Sequence, residues 1–90
     1  MKIDDVIKKG WDNRDRDRKT SNNSFYYDKD EDKFYSYHKE IASIDRFRET
    51  MSIKGLTSEY GNYCSRTTSC HFGKLVNYCL DNNLNFTIMK

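Results

Sequence analysis

A cluster of hydroxyl, guanidinium and imidazole side chains stands directly before the clearest helical pattern in the chain. Residues 64–74 read CSRTTSCHFGK. The first backbone N–H groups of a helix have no acceptor within the helix, and a serine or threonine hydroxyl commonly caps them. One hydroxyl is enough for the cap, so the others would lie at the positive end of the helix dipole, where phosphate and carboxylate oxygens bind. The predicted ligand-binding residues are Arg66, Thr67, Thr68, Ser69 and His71.

The same residues can also be explained as a helix cap and core packing, without a ligand. They do not form a catalytic site. In the alternative, Thr68 caps the helix while His71 packs or hydrogen-bonds locally. Cys70 and His71 are adjacent, and neighbouring side chains on a helix point apart, so they lack the geometry of a nucleophile and its base. No acid, nucleophile or glycine-rich loop elsewhere completes a catalytic set. We therefore expect a binding protein that is not an enzyme and has no cofactor.

The sequence also disfavours a metal centre. Its three cysteines lack CxxC spacing, and one of them would remain unpaired in any disulfide scheme, so we expect free thiols. Asp28, Asp30 and Asp32 have the spacing of a calcium loop. The sixth position of that loop is Lys33 rather than glycine, and the twelfth is Lys39 rather than glutamate. A charged hairpin turn is the better interpretation of this segment.

The elements that would position the anion site form an α+β pattern. Apolar residues recur at helical spacing over residues 69–82, and residues 84–88 then alternate as in a strand. Upstream, aromatic-rich segments at 25–28 and 33–38 indicate a hairpin, and a second hairpin turns within the sequence DRFRE. The alternation changes phase in between, which predicts a bulge or turn near 38–40. We expect a small, mostly antiparallel sheet of about four to five strands, packed by one main helix, plus a short N-terminal helix.

Residues 1–24 differ in character from the rest of the chain. A short helix is predicted over residues 3–9, and residues 11–24 read as an exposed, charged arm. Extended backbone would place Arg14, Arg16 and Arg18 on one face, so this arm is either a solvated loop or a basic segment for a phosphate-bearing partner. The predicted division is 1–24, a short helix and charged arm, and 25–90, a single α+β domain.

The composition limits the class of protein. A chain of 90 residues with 36% hydrophobic and 33% charged residues suits one small fold. The net charge of +2 is too small for a surface whose main task is to neutralise phosphates, which disfavours nonspecific binding to duplexes. The beginning of the sequence, MKIDDVIKKG, lacks the uninterrupted apolar region of a signal peptide. We expect a cytoplasmic protein that does not interact with a membrane.

Two segments resemble a pattern in small uncharacterised proteins of bacterial and archaeal viruses. The sequences YSYHKEIASID at 35–45 and YGNYCSRTTSCHFGKLVNYC at 60–79 are similar to their tyrosine-led IA strand followed by a Y-S-x-T-T-S-x-H helix start. The match has one inserted residue before the threonines and covers roughly residues 35–80. The resemblance implies a phage accessory protein in the cytoplasm of the host cell, but it brings no established activity.

Three functions remain open at this point. The first is a counter-defence or host-takeover factor that binds a nucleotide signal or nucleic-acid phosphate at residues 67–71. The second is an inhibitor of a host defence complex, of the anti-CRISPR or anti-restriction type, acting through Tyr-rich hairpins. The third is a structural or assembly role, in which the edge strand over 84–88 pairs between copies. The predicted interaction surface comprises Arg14, Arg16, Arg18, Tyr26, Tyr27, Tyr35, Tyr37 and His38.

Overall fold

The fold is seen in a computed structural model that describes residues 1–54 and 66–89, with the backbone only for residues 66–69. Its elements, in chain order, are α1 (Ile3–Asp12), β1 (Arg18–Lys19), β2 (Phe25–Asp28), β3 (Lys33–Ser36), β4 (Lys39–Asp45), β5 (Thr50–Lys54), α2 (Arg66–Asp81) and β6 (Asn85–Met89).

The strands form one sheet in the order of the sequence. Each neighbouring pair from β1 to β5 is antiparallel, and β6 lies parallel to β5 because α2 carries the chain back across the sheet. The predicted α+β class is therefore confirmed. The described residues form six strands rather than the four to five expected, since the two residues of β1 give almost no period-two signal in the sequence.

Both helices pack on the same face of the sheet. Val6 and Ile7 of α1 and Leu75 and Cys79 of α2 are fully buried against the strands. The opposite face is open and polar, and most of its side chains are half-buried. The sheet contributes these buried apolar residues: Phe25, Tyr27, Phe34, Ile41, Ala42, Ile44, Met51 and Ile53.

Residues 1–24 belong to this same core. α1 packs against β1 and β2, and the short β1 pairs with β2 inside the stretch that was predicted to be an arm. Asp17 holds the segment in place, since its carboxylate accepts a hydrogen bond from the backbone N–H of Lys29 at 2.9 Å. The chain from 13 to 24 is thus part of the folded unit.

The predicted irregularity between β3 and β4 is confirmed. Phe34 pairs with Ala42 and Tyr35 with Glu40, so Ile41 is the extra residue of a bulge. The bulge lets Ile41 and Ala42 both be buried, which strict alternation would not allow. Tyr37, in the turn between these strands, has a positive φ of 57°.

α2 begins three residues before the predicted start at residue 69. Thr67 and Thr68 therefore have helical backbone in the first turn and do not occupy the capping position. The residue that precedes Arg66 lies outside the described residues.

Two helical glycines, Gly10 and Gly73, provide a matched test of the packing of α1. A Cβ at Gly10 would lie 2.9 Å from the Tyr27 ring and 3.1 Å from the Phe34 ring, whereas one at Gly73 would meet nothing within 4 Å. We expect Gly10→Ala to lower the free energy of unfolding by about 1–3 kcal/mol through overpacking. Gly73→Ala should raise it by about 0.5–1 kcal/mol, because alanine favours helix. Chemical denaturation checks both values, and a stabilised Gly10→Ala protein would contradict this packing.

Candidate interaction site

The β4–β5 turn, residues 45–49, is tied to the rest of the fold by the side chain of Arg46. Arg46 Nε donates a hydrogen bond to Asp32 Oδ2 at 2.7 Å, and Arg46 Nη2 donates to Asp32 Oδ1 at 2.9 Å. This bidentate geometry is the strongest arrangement of a guanidinium and a carboxylate. The pair joins the β4–β5 turn to the β2–β3 turn. The Asp32 side chain is only 6% exposed, so its carboxylate is largely shielded from solvent.

The same guanidinium also caps the C-terminal end of α1. Arg46 Nη2 donates to the Gly10 carbonyl at 2.7 Å, and Nη1 donates to the Trp11 carbonyl at 2.5 Å. These carbonyls carry the negative end of the helix dipole and have no partner within the helix. The guanidinium carbon lies 6.0 Å from the centroid of the Trp11 ring, in the range of a cation–π contact. One side chain thus joins α1 and two turns.

The pKa values around this pair indicate a charged, tightly held network. Burial by itself raises the pKa of the Asp32 carboxyl, but the hydrogen bonds from Arg46 and Tyr27 outweigh it and the pKa is lowered. Burial, followed by the hydrogen bond with Asp32, raises the pKa of the Tyr27 hydroxyl to about 12. The hydrogen bond from Arg46 to Asp32 is the main cause that raises the pKa of the guanidinium. Asp32 is therefore ionised and Tyr27 is protonated at neutral pH.

Phe47, next to Arg46, points away from this network into solvent. Its side chain is 96% exposed, the most exposed of the large hydrophobic residues in the described part of the chain. The turn around it is ordered by a hydrogen bond from the backbone N–H of Arg48 to Asp45 Oδ1 at 3.1 Å. Arg48, the next residue, is an exposed cation. We call residues 45–49 the Phe47 tip.

A cleft of about 360 Å³ opens at the base of the Phe47 tip. It lies between the end of α1, the tip and the connection from α2 to β6. It combines an aromatic ring and aliphatic side chains with amides, a cation and a carboxylate. The lining residues are Trp11, Ile44, Arg46, Glu49, Asn83, Leu84 and Asn85.

His71, one of the predicted ligand-binding residues, lies inside the core. Its side chain is 1% exposed, its Nδ1 is 2.7 Å from Ser36 Oγ, and its ring centroid is 5.0 Å from that of Phe25. Burial lowers the pKa of the imidazole. This placement matches the structural alternative for His71 rather than a position facing an anion at the surface. The side chains of residues 66–69 lie outside the described residues, so their part of the anion site stays a prediction.

The three arginines of the predicted basic arm contact neighbouring protein groups. Arg14 donates to the carbonyls of Lys29 and Asp30 at 2.6 and 2.9 Å. Arg18 donates to Asp15 Oδ1 at 2.9 Å, and Arg16 lies 3.6 Å from the same carboxylate. Arg16 and Arg18 thus share one carboxylate, as expected for the solvated loop that was one of the two interpretations of the sequence.

The predicted tyrosine surface is divided between different sides of the molecule. Tyr27 is fully buried in the core. Tyr26 and Tyr35 stack on the open face, with ring centroids 5.0 Å apart and an interplanar angle of 7°. Tyr37, 48% exposed, and the exposed His38 form the β3–β4 turn, at the end of the sheet opposite the Phe47 tip. These residues therefore do not form one continuous patch.

The open face of the sheet is close to electrically balanced. Glu40 lies between Lys33 and Lys54, with N–O distances of 3.0 and 3.5 Å. The hydroxyl of Tyr35 is hydrogen-bonded to Glu31, and this contact is the main cause that raises the pKa of that hydroxyl. Lys33 and Lys54 are thus paired with one carboxylate, which leaves this part of the face without the free positive charge of a nucleic-acid platform.

The sequence DRFRE predicts a charged hairpin turn but does not by itself indicate a role for it. The available signal was a phenylalanine between two arginines at a hairpin turn, where a large apolar side chain has no core to enter. The pairing of Arg46 with Asp32 joins residues from two different hairpins, and no local pattern marks it.

Across residues 1–54 and 70–89, no group of three or more His, Cys, Asp or Glu side chains could hold a metal ion. No helix within the described ranges is long and apolar enough to cross a membrane.

No protein-family model, no curated protein and no solved structure matches the chain.

Proposed function

We propose that the chain is a small, non-enzymatic protein-binding module that docks through the Phe47 tip. The observation that carries this proposal is the 96% exposure of Phe47 on a turn that Arg46 fixes to Asp32 and to the end of α1. A large aromatic side chain is costly to leave in water and is a typical anchor of a protein interface. Because the turn is already ordered, binding costs little conformational entropy.

The chemistry of the tip indicates what its partner must present. Phe47 requires an apolar pocket, and that pocket should have a polar rim, since the 78% exposed Arg48 and the carboxylate of Asp45, 3.9 Å away, present both signs of charge. The cleft beside Trp11 and Leu84 can receive a side chain from the partner in return. An exposed anchor beside a cleft allows the two surfaces to interdigitate, as the well-packed core of a protein interface requires.

The resemblance to phage accessory proteins supplies the biological setting of this proposal. A protein-binding module in the cytoplasm of an infected host cell fits an inhibitor of a host defence complex. Two findings favour protein binding over phosphate binding. His71 is buried, and the arginines of residues 14–18 contact carbonyls and carboxylates of the chain itself. Arg66, Thr67, Thr68 and Ser69 remain predicted phosphate ligands.

The matched variants Phe47→Ala and Tyr37→Ala test the proposal. Both remove an exposed aromatic ring from a hairpin turn, but at opposite ends of the sheet. With a partner isolated from host cells, we expect Phe47→Ala to weaken binding by at least about 30-fold, corresponding to about 2 kcal/mol for an interface anchor. Tyr37→Ala should bind as the unmodified protein does. Isothermal titration calorimetry measures both.

The opposite pattern would contradict the proposal. Loss of binding with Tyr37→Ala and retention with Phe47→Ala would place the interface at the β3–β4 turn. An affinity that falls steeply with salt and is unaffected by either substitution would instead favour phosphate binding at the start of α2. Thermal melting of Phe47→Ala is the control, since a ring that is 96% exposed should leave stability within about 0.5 kcal/mol of the parent when it is removed.

A further inference from the structure

The two edges of the sheet differ in how they are protected against pairing with other strands. β1 is only two residues long, and both residues, Arg18 and Lys19, are basic. β6 spans five residues, Asn85–Met89, none of which is charged. Short length and positive charge are the usual means by which an edge strand avoids contact with another chain. β6 has neither.

Apolar side chains are exposed at the same edge. Ile88 and Met89 in β6 are 49% and 50% exposed. Leu80 is 62% exposed at the end of α2, just before the turn into β6. In residues 1–54 and 66–89, no strand pairs with the outer edge of β6. Among the described residues, unpaired backbone groups and exposed apolar side chains thus coincide at the β6 edge, away from the charged β1 edge.

We propose that β6 pairs antiparallel with β6 of a second copy of this chain, about a two-fold axis at Thr87. This register is the one that pairs all five residues of the strand: Thr87 faces Thr87 of the other copy, Phe86 faces Ile88, and Asn85 faces Met89. An isologous contact of this kind makes each half complementary to the other. The two sheets would join into one continuous sheet with the helices of both copies on the same face.

The composition of β6 favours a second copy as the occupant. In this register a charge at Thr87 would lie directly opposite its own copy, and a charge at Phe86 or Ile88 would lie diagonally opposite its own copy. The absence of charge removes that repulsion. Phe86 and Ile88 point to the helix face, where Phe86 already packs against the core. Their pairing across the axis would extend the two cores toward each other.

A charge-swap experiment tests both the dimer and its register. Sedimentation equilibrium of the unmodified protein should show a dimer with a dissociation constant below about 100 μM. Thr87→Lys and Thr87→Asp should each weaken dimerisation at least about tenfold, because like charges would face each other across the axis. An equimolar mixture of the two variants should restore the dimer, since lysine would then face aspartate. Asn77→Lys, which adds the same charge on an exposed position of α2, should leave dimerisation unchanged.

Each other outcome overturns the proposal. A monomer at every concentration excludes self-association, and a dimer that tolerates both Thr87 substitutions lies on a different surface. Two monomeric variants that fail to recover when mixed exclude pairing at residue 87. The recovery itself shows that the variants are folded. Phe47→Ala leaves β6 intact and should still dimerise, so loss of the partner interaction and loss of the dimer are distinguishable.

Discussion

Replacement of Asp32 by asparagine should lower the free energy of unfolding by about 2–4 kcal/mol at neutral pH. The 6% exposed carboxylate receives two hydrogen bonds from Arg46 and is hydrogen-bonded to the Tyr27 hydroxyl. Asparagine keeps the shape but directs one amide group with two N–H donors at a guanidinium that has only donors. We place the loss below the full cost of breaking a buried pair because the Arg46 side chain is 35% exposed. Urea denaturation followed by circular dichroism measures it.

Arg46→Met should cost at least as much as Asp32→Asn, and Arg48→Met is its matched control. Methionine at 46 breaks the pair and also leaves the carbonyls of Gly10 and Trp11 without their donor, so the end of α1 should exchange its amide hydrogens faster. Arg48 is 78% exposed, and its nearest carboxylate oxygen is 3.9 Å away. Arg48→Met should change stability by less than about 0.5 kcal/mol. Equal losses from the two arginine substitutions would show that Arg46 does not join these elements.

The acid dependence of this pair has a definite sign. The pKa of Asp32 is lower in the folded protein than its ordinary value of 3.8. Folding therefore favours the ionised form, and the stabilisation is fully present above pH 3.8. It is lost as the pH falls through the folded pKa, and Asp32→Asn should remove that part of the acid response.

The fold class could be predicted from the sequence because local patterns determine it. The period of α2 over Phe72, Leu75 and Cys79, and the alternation in the aromatic strands, appear in the structure as expected. The break in alternation before Ile41 corresponds to a real bulge. These features depend on which residues share a face, and the order of apolar residues along the chain carries that information.

The candidate site could not be predicted because it depends on contacts between distant residues. Asp32 and Arg46 are 14 positions apart, and Arg46 and Gly10 are 36 apart. Each residue alone has an ordinary surface interpretation: an aspartate and an arginine in charged turns, a glycine at the end of a short helix. Only the packing of α1 against two hairpins shows that Arg46 is held inward while Phe47 points outward. His71 illustrates the same limit, since its neighbour Ser36 is 35 positions away in the chain.

His71 should make the protein less stable as the pH falls below about 6.5. Burial lowers the pKa of the folded imidazole from its ordinary value of 6.5, so the unfolded chain takes up a proton first. The contribution of the neutral ring is fully present above pH 6.5 and decreases as the pH falls from there toward the folded pKa. His71→Asn removes the titrating group but keeps a polar atom for Ser36 Oγ, which lies 2.7 Å from the imidazole nitrogen. We expect this variant to lose about 1–3 kcal/mol at pH 7.5 because the smaller side chain leaves space in the core.

The decisive quantity is the difference in melting temperature between pH 7.5 and pH 5. It should be smaller for His71→Asn than for the unmodified protein, since the variant has no buried imidazole to protonate. His38→Asn is the matched control, since it removes the exposed histidine of the β3–β4 turn and leaves the buried imidazole of His71 in place. An unchanged difference in His71→Asn together with a reduced one in His38→Asn would contradict a buried, neutral His71. A smaller difference in His71→Asn would mean that the His71 imidazole is packed in the core in its neutral form. Protonation of that imidazole then destabilises the fold.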